Sequence, residues 1–307
     1  MMEIIYDLND ICREPTAATI GSFDGVHRGH VAMIEETRRR AAAAGLPVTL
    51  VTFATHPRMI FDADPQPFLL SSPRMHMERL AATGVERCVV LDFNRELAAM
   101  TAREFMHEVL VKHLNVKLLV LGYDHRFGRP VEGENADAYI DYGREMGIEV
   151  VRAARYNEAG AKVSSSQVRR ALAAGDVESA ATLLGYRYPI SGTVVHGAAL
   201  GREIGFPTAN IELDEPMQLL PLNGVYEVSA TVADRQYRGV MNVGVKPTVT
   251  GCGKRTVELF IIDFTGDLYG HNVCVEFVRR LREERRFSSL DELKAQIVKD
   301  VSEVQRL

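Results

Sequence analysis

The chain has 307 residues, more than one compact core usually holds, and its 46% apolar and 25% charged residues exclude a disordered or fibrous protein. A net charge of −5 gives no support to nucleic acid as the main partner. The four cysteines, Cys12, Cys88, Cys252 and Cys274, are widely spaced and show no metal-ligand pattern, which points to a reducing, cytoplasmic setting.

The opening "MMEIIYDLND" is acidic and does not read as a secretory signal. No run approaches the roughly 18 apolar residues of a membrane span. Residues 17–21 read as a strand, and 30–44 as a helix that Gly45 ends. A strand over 47–53, a helix over 72–84 and a strand over 86–93 follow. Thr101 and Glu104 form a capping box that opens a helix over 101–114. The apolar run 116–122 suits a strand buried on both faces, and 136–147 and 148–153 add one more helix and strand. Such alternation predicts a parallel sheet covered by helices on both sides. After Gly185 the pattern changes. Residues 188–197, 224–232, 236–244, 256–264 and 272–278 are β-rich and joined by Gly, Asp and Asn, which predicts a small barrel or sandwich. The tail over 288–307 is an amphipathic helix with Leu290, Leu293, Ile297, Val301 and Val304 on one side. The change of pattern places the domain boundary near 185–189.

The stretch "GSFDGVHRGH" follows the first strand of the alternating half, where open α/β sheets take their ligands. Gly21 and Gly25 let the backbone turn close to a ligand, with Phe23 and Asp24 between them. His27 and His30 stand three apart at a helix start, where N–H groups and the helix dipole favour phosphate. Two imidazoles there can donate hydrogen bonds to charge developing on phosphorus. The plainer alternative is a surface helix start with incidental histidines. A second stretch, "KVSSSQVRRALAAGD", puts Ser164, Ser165 and Ser166 ahead of Arg169 and Arg170, read as the first turn of a helix. It is either a triphosphate cradle or serine capping beside solvated arginines.

The second half has no GxxxxGK[ST] motif and is not a Walker-type kinase. Its stretch "GAALGREIGFPTAN" has Gly197, Gly201 and Gly205 in a loop. Thr208 and Asn210 then offer hydroxyl and amide oxygens that suit Mg²⁺ completed by phosphates and water, or the stretch is a Gly-rich turn. Glu258 shares a strand face with Phe260 and Ile262, as a solvent-facing residue or a poised base.

"GSFDGVHRGH" and "VSSSQVRRALAAG" resemble the two signatures of the HxGH nucleotidyltransferase superfamily. "VTFATHPR" and "GYDHRFGRPVEG" resemble its version in bacterial bifunctional riboflavin kinase/FAD synthetases. Residues 185–307, through "GREIGFPTANI", "NGVYEV", "GVMNVGVKPTV", "VELFIIDFTGDLYG" and "FVRRLREERRFSSLDELKAQIVKD", are similar to a riboflavin kinase domain. The resemblance implies an α/β chain in two domains. Residues 1–186 would be a Rossmann-like domain that adenylylates FMN to FAD and releases pyrophosphate. Residues 187–307 would be a six-stranded Greek-key β-barrel with a terminal helix that phosphorylates riboflavin to FMN.

The resemblance also implies roles for residues. His27 and His30 would hold ATP phosphates and stabilise the transition state, with Gly21, Phe23, Asp24 and Gly25 in the same loop. Ser165 and Arg169 would bind the triphosphate, and Asp124 would lie near the nucleotide. Phe53, His56, Pro57 and Phe127 would line the FMN site. Gly201 and Gly205 would belong to the nucleotide loop of the kinase, and Thr208 and Asn210 would hold Mg-ATP. Glu258 would take the proton from the ribityl 5′-hydroxyl, with Arg282 and Phe287 in a flap near the flavin. ATP and Mg²⁺ are the implied cofactors, riboflavin, FMN and FAD the substrates and products, with no nucleic-acid or membrane partner and the oligomeric state open. Three stretches depart from the family pattern. His125 stands where an aromatic residue is usual, Ala54-Thr55 where Asp/Glu-Pro is usual, and Phe260 where histidine is common. A monofunctional nucleotidyltransferase on another phosphate ester would keep His27, His30 and Arg169 but leave the Pro-Thr-Ala-Asn loop and Glu258 unexplained. A flavin carrier with vestigial sites would have lost the phosphate-handling residues.

Overall fold

The computed structural model describes residues 2–10, 14–62, 66–123, 125–132, 134, 137–158, 161–196, 205–246 and 254–306. Contacts divide the chain into two units, Met1–Gln66 with Pro73–Val163, and Pro67–Ser72 with Ser164–Leu307.

In the first unit six strands form one parallel sheet in the order β1-β4-β3-β2-β5-β6. They are β1 (Glu3–Ile5), β2 (Thr16–Ile20), β3 (Val48–Phe53), β4 (Arg87–Leu91), β5 (Val116–Leu121) and β6 (Glu149–Arg152). The helices are α1 (Arg28–Ala44), α2 (Pro57–Phe61), α3 (Pro73–Ala82), α4 (Arg95–Ala99), α5 (Ala102–Phe105) and α6 (Ala138–Met146). Successive strand residues serve opposite faces. Ala17, Leu50, Val90 and Leu118 pack with Ile34 of α1 and Leu80 of α3. Ala18, Val51, Val89 and Leu119 pack with Met106, Leu110 and Tyr139 on the other face. The apolar runs are therefore strands covered twice, as the sequence predicts.

The capping box at Thr101 and Glu104 is formed, and α5 runs on as a π-helical stretch, Met106–His113, that buries Met106, Val109 and Leu110. The two short strands β7 (Asn157–Glu158) and β8 (Ala161–Lys162) pair antiparallel. The chain leaves β2 through β3 and β4, then returns to the other side of β2 at β5. The gap between β2 and β5 is thus the topological switch point, where such sheets bind ligands.

The second unit opens with α7 (Ser165–Ala173) and α8 (Val177–Leu184). The strands β9 (Pro189–Val195), β10 (Ala209–Leu213), β11 (Gly224–Val232), β12 (Arg235–Lys246), β13 (Lys254–Ile261) and β14 (Asn272–Arg282) follow, then α9 (Leu290–Gln305). The strands close into a barrel in the order β10-β13-β12-β11-β14-β9. The run β11-β12-β13 with β14 returned beside β11 is a Greek key. β10 takes up part of the stretch that reads from sequence as a Gly-rich turn. It is short, and the residue that commits it to the barrel core is Ile211. The barrel core also takes in Val168, Leu172, Val177, Ala180 and Leu184 from α7 and α8. Along the tail helix Val304 is fully buried, while Leu290 at its start is 47% exposed.

Closure depends on close strand approach at Gly192, where an added Cβ would collide with the carbonyl oxygen of Glu212. Gly192→Ala should therefore destabilise the protein by about 1–3 kcal/mol, the cost of overpacking. Urea unfolding followed by circular dichroism checks this; an unchanged midpoint would refute the close packing of β9 on β10.

Candidate functional site

In the first unit the loop after β2 is still tied to the sheet, because the Gly21 amide donates to the Val51 carbonyl at 3.0 Å. Three residues then take left-handed backbone, Phe23 (φ 46°), Gly25 (φ 78°) and Val26 (φ 36°). Only glycine adopts such angles cheaply, so Phe23 and Val26 store strain, as residues at functional loops often do. Their side chains, 0% and 3% exposed, are clamped in the core and hold the conformation. Asp24 between them is 5% exposed.

His27 is the N-cap of α1 rather than part of it, and its Nδ1 accepts from the His30 amide at 3.2 Å. A neutral His27 therefore carries its proton on Nε2. The two imidazoles stack with centroids 3.6 Å apart and planes 15° from parallel. His30 also meets the edge of Phe23 at 5.4 Å. Its Nδ1 is shut off from water and has no hydrogen-bond partner among the described residues.

Five of the nine histidines take part in this neighbourhood. Burial, then the imidazoles of His27, His76 and His125, holds the pKa of His30 well below its ordinary value. Burial, then His56, lowers that of His76 to about 4. His56 caps α2 after β3, its Nδ1 accepting from the Arg58 amide at 3.2 Å, and Pro57 opens that helix. His125 follows β5 in a turn closed by its amide on the Gly122 carbonyl at 3.2 Å. Phe53, the last residue of β3, packs edge-on against Phe93 at 5.2 Å. Phe127 lies between Phe105 and Tyr139, at 5.3 and 5.0 Å. Gly21, Phe23, Asp24, Gly25, His27, His30, Phe53, His56, Pro57 and Phe127 thus all stand at or just past the carboxyl ends of β2, β3 and β5. Asp124 lies outside the described residues. Phe93 and His76 carry no motif of their own; Phe93 reads from sequence as a strand residue and His76 as one more helix position.

In the second unit Ser164 caps α7, accepting from the Gln167 amide, and Ser165 is the helix's first residue. Arg169 falls beyond the first turn. Its Nε donates to the Phe68 carbonyl at 2.8 Å, with the guanidinium 5.6 Å from the Phe68 ring.

Strand register builds the rest. Asn210 on β10 and Asn242 on β12 both stand opposite Glu258 on β13. The row continues through Val225 on β11 to Arg282 on β14. Val257 and Leu259 point into the barrel, 2% and 1% exposed, so Glu258 between them faces outward. There it lines a cavity of about 240 Å³ with Thr208, Asn242, Phe260, Arg282 and Phe287. A second cavity of about 290 Å³ is lined by Gly205, Pro207, Asp267 and Tyr269, with Thr208 and Phe260 shared between the two. Gly197 and Gly201 lie outside the described residues. Asn242 escapes a sequence reading because its place beside Glu258 exists only once the register is known.

No group of three or more His, Cys, Asp or Glu side chains among the described residues could hold a metal ion. Thr208 and Asn210 supply neutral hard oxygens, which fit Mg²⁺ held mainly by substrate phosphates and water.

Comparison with known proteins follows the same division. Residues 10–167 match the family model for FAD synthetase, and residues 184–307 the one for riboflavin kinase. The bifunctional riboflavin kinase/FMN adenylyltransferase of Escherichia coli strain K12 is 40% identical over 297 residues, 96% of this chain and 94% of that one. Its counterpart from Pseudomonas fluorescens is 41% identical over 312 residues, 100% and 98%. A crystal structure described as a macrolide-efflux protein from Streptococcus pneumoniae has a TM-score of 0.88 and 32% identity, covering 100% of this chain and 99% of its own. No described helix of the present chain is long and apolar enough to cross a membrane.

The histidine cluster makes stability depend on pH. As pH falls through the ordinary imidazole value near 6.5, the unfolded chain takes up protons that folded His30 and His76 resist, His76 down to about 4. The unfolded state then binds more protons, so stability should fall from pH 6.5 towards pH 4. Replacing His76 by Phe should flatten this slope in scanning calorimetry; an equal slope in the variant would remove His76 from the effect.

Proposed function

Because the chain belongs to the family of bifunctional riboflavin kinase/FMN adenylyltransferases, we propose that it phosphorylates riboflavin to FMN with ATP and adenylylates FMN to FAD with a second ATP. The observation that carries this is the presence of both family models on one chain, each over its own constellation of candidate residues. Residues 1–186 act as the adenylyltransferase domain and 187–307 as the kinase domain. The protein works in the cytoplasm on small flavins and ATP, without a nucleic-acid or membrane partner. A buried thiol such as Cys88, pushed up to about 12 by burial, suits a role in packing rather than redox chemistry.

In adenylylation an FMN phosphate oxygen attacks the α-phosphorus of ATP and pyrophosphate leaves. His27 and His30 hold the polyphosphate and donate hydrogen bonds as charge builds on the reacting phosphorus. In the free protein His30 stays neutral at pH 7, since burial and neighbouring imidazoles oppose its charge. The incoming polyanion reverses that balance and favours the proton-bearing form. Gly21, Phe23, Asp24 and Gly25 shape the loop, and Phe53, His56, Pro57 and Phe127 receive the flavin. By analogy with the family signature, Ser165 and Arg169 are assigned to the triphosphate and Asp124 to the nucleotide.

In phosphorylation the ribityl 5′-hydroxyl attacks the γ-phosphorus of the other ATP and ADP leaves. Glu258 takes the hydroxyl proton. Asn210 and Asn242, opposite it in register, fix its place on the barrel wall. Thr208 and Asn210 would hold Mg²⁺, which when bound neutralises charge on the ATP phosphates. Gly201 and Gly205 belong to the loop over that nucleotide, and Arg282 and Phe287 close over the flavin. Both steps are displacements at phosphorus, for which positioning and charge stabilisation do most of the work.

Incubation with riboflavin, ATP and Mg²⁺, followed by chromatographic separation of the flavins, should show FMN and then FAD. His30→Ala should lower kcat for FAD formation by at least ~10²-fold and leave FMN formation intact. Glu258→Gln should lower FMN formation by roughly 10² to 10⁴-fold and leave FAD formation from supplied FMN intact. Near-parental rates in either variant would remove that residue from the chemistry.

A further inference from the structure

The helix α9 carries a carboxylate that the chemistry above does not use. Asp300 is 4% exposed and lines the same cavity as Glu258. A buried carboxylate is tolerated when its oxygens are satisfied, and those of Asp300 are. Arg282 Nε donates to both oxygens at 3.1 Å, and Nη2 to Oδ2 at 2.8 Å. The Gln296 amide donates to Oδ1 at 2.7 Å. Gln296 in turn accepts from Arg285 Nη2 at 2.8 Å. The Arg285 and Arg282 guanidiniums lie 4.7 and 5.8 Å from the Phe287 ring.

This circuit encloses residues 283–287, which join β14 to α9. One end is fixed at Arg282. The other is fixed at the cap of α9, where Ser289 accepts from the Glu292 amide and Ser288 donates to the Glu292 carboxylate at 2.9 and 3.0 Å. Between these anchors the backbone of the segment is tied, among the described residues, by Arg282 Nη1 on the Glu283 carbonyl at 3.0 Å.

We propose that Asp300 is a positioning residue for riboflavin phosphorylation, holding Arg282 and, through Gln296 and Arg285, seating Phe287 against the cavity that Glu258 lines. The inference rests on the kinase reading above. Asp300 is not a catalytic residue, since it acts through Arg282. Its physical role is preorganisation. With the circuit intact, the wall over the flavin is set before substrate arrives. With it broken, substrate binding must order Arg285 and Phe287, at a cost per side chain that weakens binding. The proton transfer to Glu258 lies on β13, outside the circuit, so turnover at saturation is kept. The signature is a raised KM with a preserved kcat.

The test uses full-length protein, with initial rates of FMN formation measured over a range of riboflavin concentrations. FAD formation from supplied FMN reports that each variant is intact. Asp300→Asn keeps the side-chain volume but loses the charge-assisted pairing. It should raise KM for riboflavin about tenfold or more with kcat within about threefold of the parent. Gln296→Ala, which buries no unpaired charge, should raise KM in the same direction by about two- to threefold. An unchanged KM in both variants overturns the proposal, as does a fall in kcat with KM kept, which marks general damage. Should Asp300→Asn also lose FAD formation, Gln296→Ala decides alone: a raised KM supports the circuit and an unchanged one overturns it. If the parent makes no FMN, the kinase reading falls and this proposal with it; if the parent works and both variants match it, this proposal alone falls.

Discussion

Strand pairing is the constraint on which the chemical groups of this chain depend. A closed barrel satisfies its backbone donors and acceptors between neighbours, and that fixes which side chains face in and which face out. Val257 and Leu259 fill the inside, so Glu258 has to face outward into the cavity it lines with Phe287, and Asn210 and Asn242 have to flank it. The outer surface is then covered by α9, over Val225, Val240 and Ile262. Three arginines on barrel strands fasten that helix. Arg238 donates to the Val304 carbonyl at 2.9 Å, Arg279 bridges Glu227 and Glu303, and Arg282 pairs with Asp300. Glu227 and Asp300 are both largely buried, so either arginine's loss would strand a carboxylate away from water, which costs more than the pairing gives.

The parallel sheet applies the same constraint differently. β2 is buried along its whole length, and its two hydroxyls, Thr16 and Thr19, are shut inside the sheet, so no polar group of the strand reaches a ligand from its faces. Chemistry has to begin where pairing ends. The loop after Ile20 turns through two strained non-glycine residues because Phe23 and Val26 are held in the core. That strain delivers His27 as a cap and stacks it on His30. Two imidazoles 3.6 Å apart oppose each other's charge, and burial adds to that opposition at His30. His30 is accordingly held neutral in the free protein, and an arriving polyanion would favour its protonated form.

Much of this was legible in the sequence where a local pattern fixes local structure. The strand–helix alternation, the capping box at Thr101, the terminal helix and the loop at Gly21–His30 were all readable in this way. What escaped was set by pairing across the chain. β10 is short, and its inward and outward positions show no alternation strong enough to read. Asn242 looks like any polar residue on a strand until β12 is laid beside β13. Asp300 falls at helical spacing from Leu293, Ile297 and Val304, on the apolar side of the tail helix, and the partner that explains it, Arg282, is identified only once β14 is laid against α9. The histidine cluster was half visible. His27 and His30 announce themselves by spacing, whereas His76 and His125 reach them from other elements.

The departures from the family pattern give the two units opposite electrostatic characters. His125, in place of an aromatic residue, adds another imidazole beside His30 and contributes to its lowered proton affinity. The first unit's candidate site therefore gathers imidazoles that, with burial, hold the proton affinity of His30 and His76 below its ordinary value. Phe260, in place of a histidine, does the reverse. It stands edge-on to Phe206 at 5.3 Å and forms an apolar wall shared by the two cavities of the barrel. Such a wall brings no titratable group of its own to the space beside Glu258. A polyanion entering the first unit therefore meets buried imidazoles whose protonation it favours, whereas one entering the barrel meets no histidine among the described residues that line its two cavities.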